Sequence, residues 1–175
     1  TYRDRDGRET VETYDQDGLL VKTEDWGDLV TEYEYDAEGR LVFKTSSDGA
    51  SETLEYWDGT DTLKKKMITD KWGNTTTEDH NESGQLIKTT RNYRWSTYTY
   101  WTTFSYDAEG RLDGKDYSYG SREEYEYWDG TSVLKLKKHI NSRGHVSTYR
   151  YNELGNVTEY VSYYGYMVTY SYDGL

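Results

Sequence analysis

Along most of the chain, apolar and polar residues alternate with a period of two. Leu29, Thr31, Tyr33 and Tyr35 fall on one side of an extended segment, with Val30, Glu32 and Glu34 on the other. Tyr166, Val168, Tyr170 and Tyr172 alternate with Met167, Thr169 and Ser171 in the same manner. These runs are short because glycines interrupt them at 7, 18, 27, 39, 49, 59, 73 and 84, and again at 110, 120, 130, 144, 155, 165 and 174. Each glycine follows polar turn residues, which predicts strands joined by hairpins. In Asp36-Ala37-Glu38-Gly39 the Asp can accept a local backbone N–H, and Gly can take the left-handed position that closes a bulged hairpin. Three- and four-residue apolar spacing is missing and β-favouring Thr and Tyr abound, which leaves little room for helix.

The hairpins belong to a longer repeat. Tyr35-Asp36-Ala37-Glu38-Gly39-Arg40-Leu41 returns unchanged as Tyr106 to Leu112, and Glu55-Tyr56-Trp57-Asp58-Gly59-Thr60 as Glu126 to Thr131. Both recurrences have an offset of 71 residues, and Leu63, Lys64, Gly73 and Gly84 return at the same offset. The whole of 1–175 reads as one array with long units at roughly 14–79 and 80–150 and a truncated copy at 151–175. The copies differ most at Arg91 to Trp101, where the second has extra residues in place of the short turn Asp25-Trp26-Gly27-Asp28. Same-face aromatic pairs before the turns, Phe104/Tyr106, Tyr125/Tyr127 and Tyr149/Tyr151, predict an aromatic ladder.

The expected fold is therefore all-β: consecutive β-hairpins forming a long, coiled, solenoid-like antiparallel sheet of about fifteen strands. At strand spacing near 4.8 Å, such a sheet would extend on the order of 70 Å. Stability would come from nearest-neighbour contacts, as in other repeat proteins.

Composition supports this reading. Leu, Val, Ile and Phe occupy only 26 of 175 positions, and the formal net charge is -12, a balance typical of disorder, yet 21 Tyr and 6 Trp supply apolar area instead. No Pro interrupts a ladder, and the lack of Cys removes disulfides and thiolate metal sites. No apolar run approaches membrane-spanning length, so no membrane insertion is expected. The acidic balance argues against nucleic-acid binding. The two basic clusters, Lys64 to Lys66 and Lys135, Lys137 and Lys138, read as solvated strand or edge residues that discourage edge pairing.

The pattern Tyr-Asp-x-x-Gly-Arg-Leu, led by Thr-x-Tyr-x-Tyr-Asp, resembles the YD repeat of the Rhs and teneurin families. Tyr35 to Leu41 and Tyr106 to Leu112 carry it in full; Tyr14 to Leu19, Tyr151 to Asn156 and Tyr172-Asp173-Gly174 carry it loosely. The resemblance implies hairpins wound into a long sheet, which in large members closes as a shell around a toxic or other C-terminal domain. It also implies a bacterial secreted or cell-surface location. The chain has far too few repeats for a closed shell. It starts at Thr1 and cuts the repeat mid-unit at both ends, which reads as an excerpt from a longer repeat protein, or else as a protomer stacking on further copies through its sheet edges.

Chemistry is sparse. His80, His139 and His145 form no metal motif, and His80 occupies the Tyr position of a degenerate repeat. No catalytic residue, cofactor or metal is expected. Asp4-x-Asp6-Gly7 and Asp15-x-Asp17-Gly18 resemble half of a calcium loop, but the later bidentate Glu is missing and hairpin turns explain them better. Trp26, Trp57, Trp72 and Trp128 stand within two residues of a turn glycine, where flat rings beside Asp and Asn could stack on sugars. Packing on the next hairpin is the competing account, and the preferred one, because the positions recur with the repeat. Arg91, Tyr93, Arg94 and Trp95 mark the insertion as the best place for a specific contact, although a longer hairpin is the preferred account of them. The leading expectation is a non-enzymatic spacer, fibre or scaffold. A glycan-binding module and a fragment of a toxin-encapsulating shell are the alternatives.

Overall fold

A computed structural model describes residues 1–3, 5 and 7–173, with the side chain of Tyr2 excepted. The Asp4-x-Asp6 half-loop and the turn at Gly174 thus lie outside the described residues. The chain divides into two compact units, Thr1–Thr99 and Tyr100–Leu175. In the first, β1 (Tyr2–Arg3), β2 (Glu9–Tyr14), β3 (Leu20–Glu24), β4 (Val30–Tyr35), β5 (Leu41–Ser46), β6 (Ser51–Tyr56), β7 (Leu63–Thr69), β8 (Thr75–His80) and β9 (Leu86–Asn92) form an open antiparallel sheet. In the second, β10 (Thr99–Tyr106), β11 (Leu112–Tyr117), β12 (Arg122–Tyr127), β13 (Leu134–Ile140), β14 (Val146–Tyr151), β15 (Val157–Val161) and β16 (Met167–Thr169) do the same. Strand order is sequence order in both, and every described strand is antiparallel to its neighbours. No helix occurs among the described residues. The all-β hairpin expectation holds, with sixteen described strands against the fifteen expected.

One turn chemistry repeats throughout. Asp36 Oδ1 accepts the N–H groups of Glu38 and Arg40 at 3.1 and 2.9 Å, while Gly39 N donates to Asp36 O at 3.0 Å. Asp15, Asp70, Asn81, Asp107, Asn141 and Asn152 hold their turns in the same way, so Asp15 is a turn residue, as expected of a hairpin. Gly39 closes its turn at φ 79°, where a side chain would be strained. In the 25–28 turn the left-handed residue is Asp28, at φ 59°. Asp25 Oδ1 reaches Gly27 N and Leu29 N, so the Asx geometry places the fourth turn residue in that region whatever its type.

Turns from even to odd strands carry a β-bulge just before them. Tyr35 faces Leu41 and Glu34 faces Phe43, which leaves Val42 as the extra residue; Lys64 and Lys135 hold the same place in β7 and β13. The next hairpin then splays: β5 meets β6 only from Phe43 onward, two residues into the strand. Tyr56 fills the gap, its hydroxyl donating to Leu41 O at 2.9 Å. Tyr35 to Leu20 O, Tyr127 to Leu112 O and Tyr172 to Val157 O repeat this cap at 2.7–2.8 Å and the same 15-residue separation. Between β7 and β8 the ladder reaches Lys65↔Asp79, next to His80, which stands in place of the tyrosine.

The Arg of the motif ties successive turns together. Arg40 Nε donates to Asp36 Oδ2 at 2.7 Å, its guanidinium lies 4.7 Å from the Tyr56 ring centre, and Nη1 donates to Thr60 O in the following turn. Arg111 repeats this on Asp107, Tyr127 and Thr131. Burial alone would raise Asp36, yet hydrogen bonds and charge from Arg40 hold its carboxyl below the usual range; Asp107 is held down likewise by Arg111.

The interior is thin, with Leu136 as the one buried hydrophobic side chain among the described residues. Two expectations are corrected here. The aromatic ladder is interleaved with cations: Lys115 Nζ lies 5.9 Å from the Phe104 ring and 5.7 Å from Tyr125, and Lys137 Nζ lies 5.6 Å from Tyr125, while rings meet rings at Tyr149 and Tyr160 (4.7 Å) and at Tyr117 and Tyr119 (5.3 Å). Antiparallel register sets Lys137 between Tyr125 and Tyr149, and each cation offsets the acidic surroundings while covering a ring. The lysine clusters, for their part, occupy β7 and β13, which have neighbours on both sides, so they do not guard an edge. Lys66 pairs with Glu52 at 2.9 Å and Lys137 with Glu123 at 3.0 Å.

Candidate functional site

The hairpin register sorts the candidate residues onto opposite edges. In the first unit, odd-to-even turns carry Trp26 and Trp72, and the same edge bears the 93–98 loop with Tyr93, Arg94 and Trp95. Trp57 lies on the opposite edge, as does Trp128 in the second unit. The eight residues therefore form no single site. Arg91 is a strand residue, facing Thr76 from the end of β9, so the insertion proper is shorter than the sequence indicates.

Trp26, Trp72 and Trp95 are 64, 62 and 87% exposed. Each has a cation on its ring: Arg8 at 4.7 Å, Lys71 at 4.9 Å and Arg94 at 4.9 Å. Trp72 borders a cleft of about 420 Å³ between the 46–49 and 70–73 turns, lined also by Lys44, Asp48, Glu52, Ile68 and Asp70. Asp70 accepts from Trp72 N, Asn74 N and Asn74 Nδ2 at 2.8–2.9 Å, and these bonds, led by the Asn74 side chain, keep its carboxyl below the usual range. A second hollow of about 180 Å³ adjoins it, lined by Arg91, Asn92 and Tyr93 along with Ile68 and Asp70. Arg94 N donates to Asn74 Oδ1 at 3.0 Å, which fastens the insertion onto this turn.

Trp57 and Trp128 are half-buried, each under the lysine of its bulge: Lys64 Nζ is 5.1 Å and Lys135 Nζ 5.3 Å from the ring. Both indole Nε1 atoms are buried without a partner among the described residues, as is His80 Nδ1. Glu55, Trp57, Lys64, Lys65, Asp79, His80, Ile87 and Lys88 line a cleft of about 410 Å³ on one face of the first unit. Among the described residues, no group of three or more His, Asp or Glu is placed to hold a metal ion.

Sequence reasoning passed over Glu123. It accepts from the Tyr125 hydroxyl and from Lys137 Nζ at 3.0 Å, with His139 Nδ1 at 3.6 Å. Burial raises its carboxyl, but those donors outweigh burial and hold it at about 2. Burial, and next to it Glu123, pushes Tyr117 up to about 12 and raises Tyr125 as well. The register sets Glu123 opposite His139 and Tyr125 opposite Lys137, so the Lys137 contact is a diagonal one that belongs to the folded sheet.

No protein-family model and no curated protein sequence matches the chain. Solved structures similar to it include TcdB2-TccC3-Cdc42, at 15% identity and TM-score 0.45, covering 91% of this chain and 12% of that one. The Photorhabdus luminescens Tc holotoxin pore is similar at 14% identity and TM-score 0.47, covering 88% and 12%. A porin-like protein from Bacteroides uniformis is similar at 16% identity and TM-score 0.42, covering 97% and 80%. The chain thus spans about one-eighth of the toxin chains it resembles and most of the porin-like chain.

Proposed function

We propose that the chain is a non-catalytic structural and interaction module, a hairpin array serving as spacer, fibre or scaffold in a bacterial surface or secreted repeat protein. The carrying observation is the Arg40 and Arg111 bridge, which ties the 36–39 and 107–110 turns each to the next turn on the same edge by an aspartate, an aromatic ring and a backbone carbonyl. Strand contacts within each unit join consecutive strands only, so stability is local and extension costs nothing in topology. The partners that fit are adjacent repeats or further copies pairing at sheet edges, and the strand-edge residues Met167 and Val168 are exposed to receive them. Single-molecule stretching tests this: a scaffold of linked hairpins yields in a series of small steps. One all-or-none event, or turnover of any glycan, ester or peptide substrate, overturns it.

A glycan-binding reading is favoured by the Trp72 cleft, where an exposed indole stands beside Asp48 and Asp70. Neutral-glycan binding abolished by Trp72→Ala would support it, and a blank glycan array would end it. The encapsulating-shell reading rests on the YD resemblance, and its test is a parent coding sequence with many more repeats and a C-terminal effector.

A further inference from the structure

The two copies of the repeat diverge sharply at one place. Glu55, Lys65, Asp79 and Lys88 are direct partners across β6, β7, β8 and β9, a row of alternating charge about 14 Å long at ordinary strand spacing. None of the four side chains forms an ion pair with another described residue. They line the 410 Å³ cleft together with Trp57 and His80, whose Nε1 and Nδ1 atoms are buried without a partner among the described residues. Charged side chains that line up across strands normally pair, so four unpaired ones along one cleft call for an explanation. At the 71-residue offset the second unit has Glu126, Leu136, Arg150 and Glu159 in the row and Tyr151 in place of His80. There the arrangement is satisfied: Leu136 is 6% exposed, and Arg150 Nε meets Glu159 at 3.0 Å. Trp128 Nε1 is orphaned like Trp57, so the indole is a property of the repeat, whereas the unpaired charges and His80 belong to the first unit alone.

We propose that this cleft binds an acidic monosaccharide of the hexuronate class. Its three lysines, Lys64, Lys65 and Lys88, outnumber Glu55 and Asp79 within a chain of net charge -12, which makes it a local attractor for one carboxylate. The two carboxylates offer acceptors to sugar hydroxyls, the lysine ammoniums offer donors to a carboxylate or ring oxygen, and Trp57 adds an aromatic wall to the lining. Glu55 and Asp79 disfavour more highly charged anions such as phosphate by repulsion. The volume is at the small end of ligand clefts and suits one sugar rather than a chain. The site stands apart from the Trp72 cleft and survives if neutral-glycan binding there fails.

The test is an NMR titration of the ¹⁵N-labelled full chain with sodium glucuronate into the high millimolar range at constant ionic strength, following the Trp57 and Trp128 indole N–H signals. Glucose and sodium acetate serve as separate probes of ring and charge. The expected result is a saturable shift at Trp57 but not at Trp128, with glucose and acetate at least about tenfold weaker. The copy-swap variant Lys65→Leu/His80→Tyr, which installs residues the second unit already accommodates, should lose the shift with its circular dichroism unchanged. Lys88→Gln provides a second variant, expected to weaken glucuronate binding. The proposal is overturned by an unsaturable shift, by equal shifts at both indoles, by acetate or glucose matching glucuronate, or by full binding in the folded variants.

Discussion

Removing the hydroxyl of the capping tyrosines isolates the contact that Tyr35, Tyr56, Tyr127 and Tyr172 share. Tyr35→Phe/Tyr56→Phe deletes two hydrogen bonds of 2.8 and 2.9 Å, to Leu20 O and Leu41 O, while Phe keeps the ring under the Arg40 guanidinium. Both bonds are partly buried and join neutral groups, which places each at about 0.5–1.5 kcal/mol, so the pair should cost the first unit roughly 2 kcal/mol. Water can reach part of each freed carbonyl, which keeps the figure from the upper limit. With a urea m-value of about 1–2 kcal/mol/M, the midpoint followed by far-UV circular dichroism should fall by roughly 1–2 M. Tyr14→Phe is the control, because its hydroxyl meets only the exposed Glu12 at 3.0 Å, and it should leave the midpoint in place. An unchanged midpoint in the double variant, or an equal loss in the control, would refute the capping argument.

Other outcomes follow from the same contacts. Glu123, depressed from 4.5 to about 2, contributes stability that is complete above its unfolded value and is lost as pH falls from near 4.5 toward 2; Asp36, Asp70 and Asp107 act in the same direction. Carbon-detected NMR should find the Glu123 carboxyl titrating near 2, and a midpoint at or above 4.5 would dismiss the Tyr125, Lys137 and His139 network. Asp28→Gly relieves a left-handed φ of 59° and should stabilise the first unit by about 0.5–1 kcal/mol in urea unfolding, where a loss would show that the Asp28 side chain matters more than its backbone. Arg111→Lys removes the fork that reaches both Asp107 and Thr131 O, so amide exchange in the 128–133 turn should quicken while the 141–144 turn stays protected.

How much could be read beforehand depends on the range of each interaction. Asp36-Ala37-Glu38-Gly39 announces its turn because the Asx bonds and the left-handed glycine involve only five consecutive residues. In the 25–28 turn the same Asx bonds put Asp28 rather than a glycine in the left-handed place. Alternation predicted strands, and the 71-residue recurrence predicted that hairpins follow one another, because both are patterns along the chain. Pairing across strands was out of reach. Register, offset by one bulge per even-to-odd turn, decides that Lys137 sits between Tyr125 and Tyr149, that Glu123 meets Lys137, and that Lys64 covers Trp57.

The candidate site divides along the same line. Sequence alone singled out Trp57 and Trp72 from their nearness to turn glycines and the insertion from its break in the repeat, but which edge each occupies follows from the parity of its hairpin. Tertiary structure alone set four unpaired charges side by side from β6 to β9, residues more than thirty positions apart at the extremes, next to a histidine that the sequence marked only as a degenerate tyrosine. Local backbone chemistry is encoded residue by residue, whereas the facing of side chains depends on how each strand slides against the next before the ladder locks.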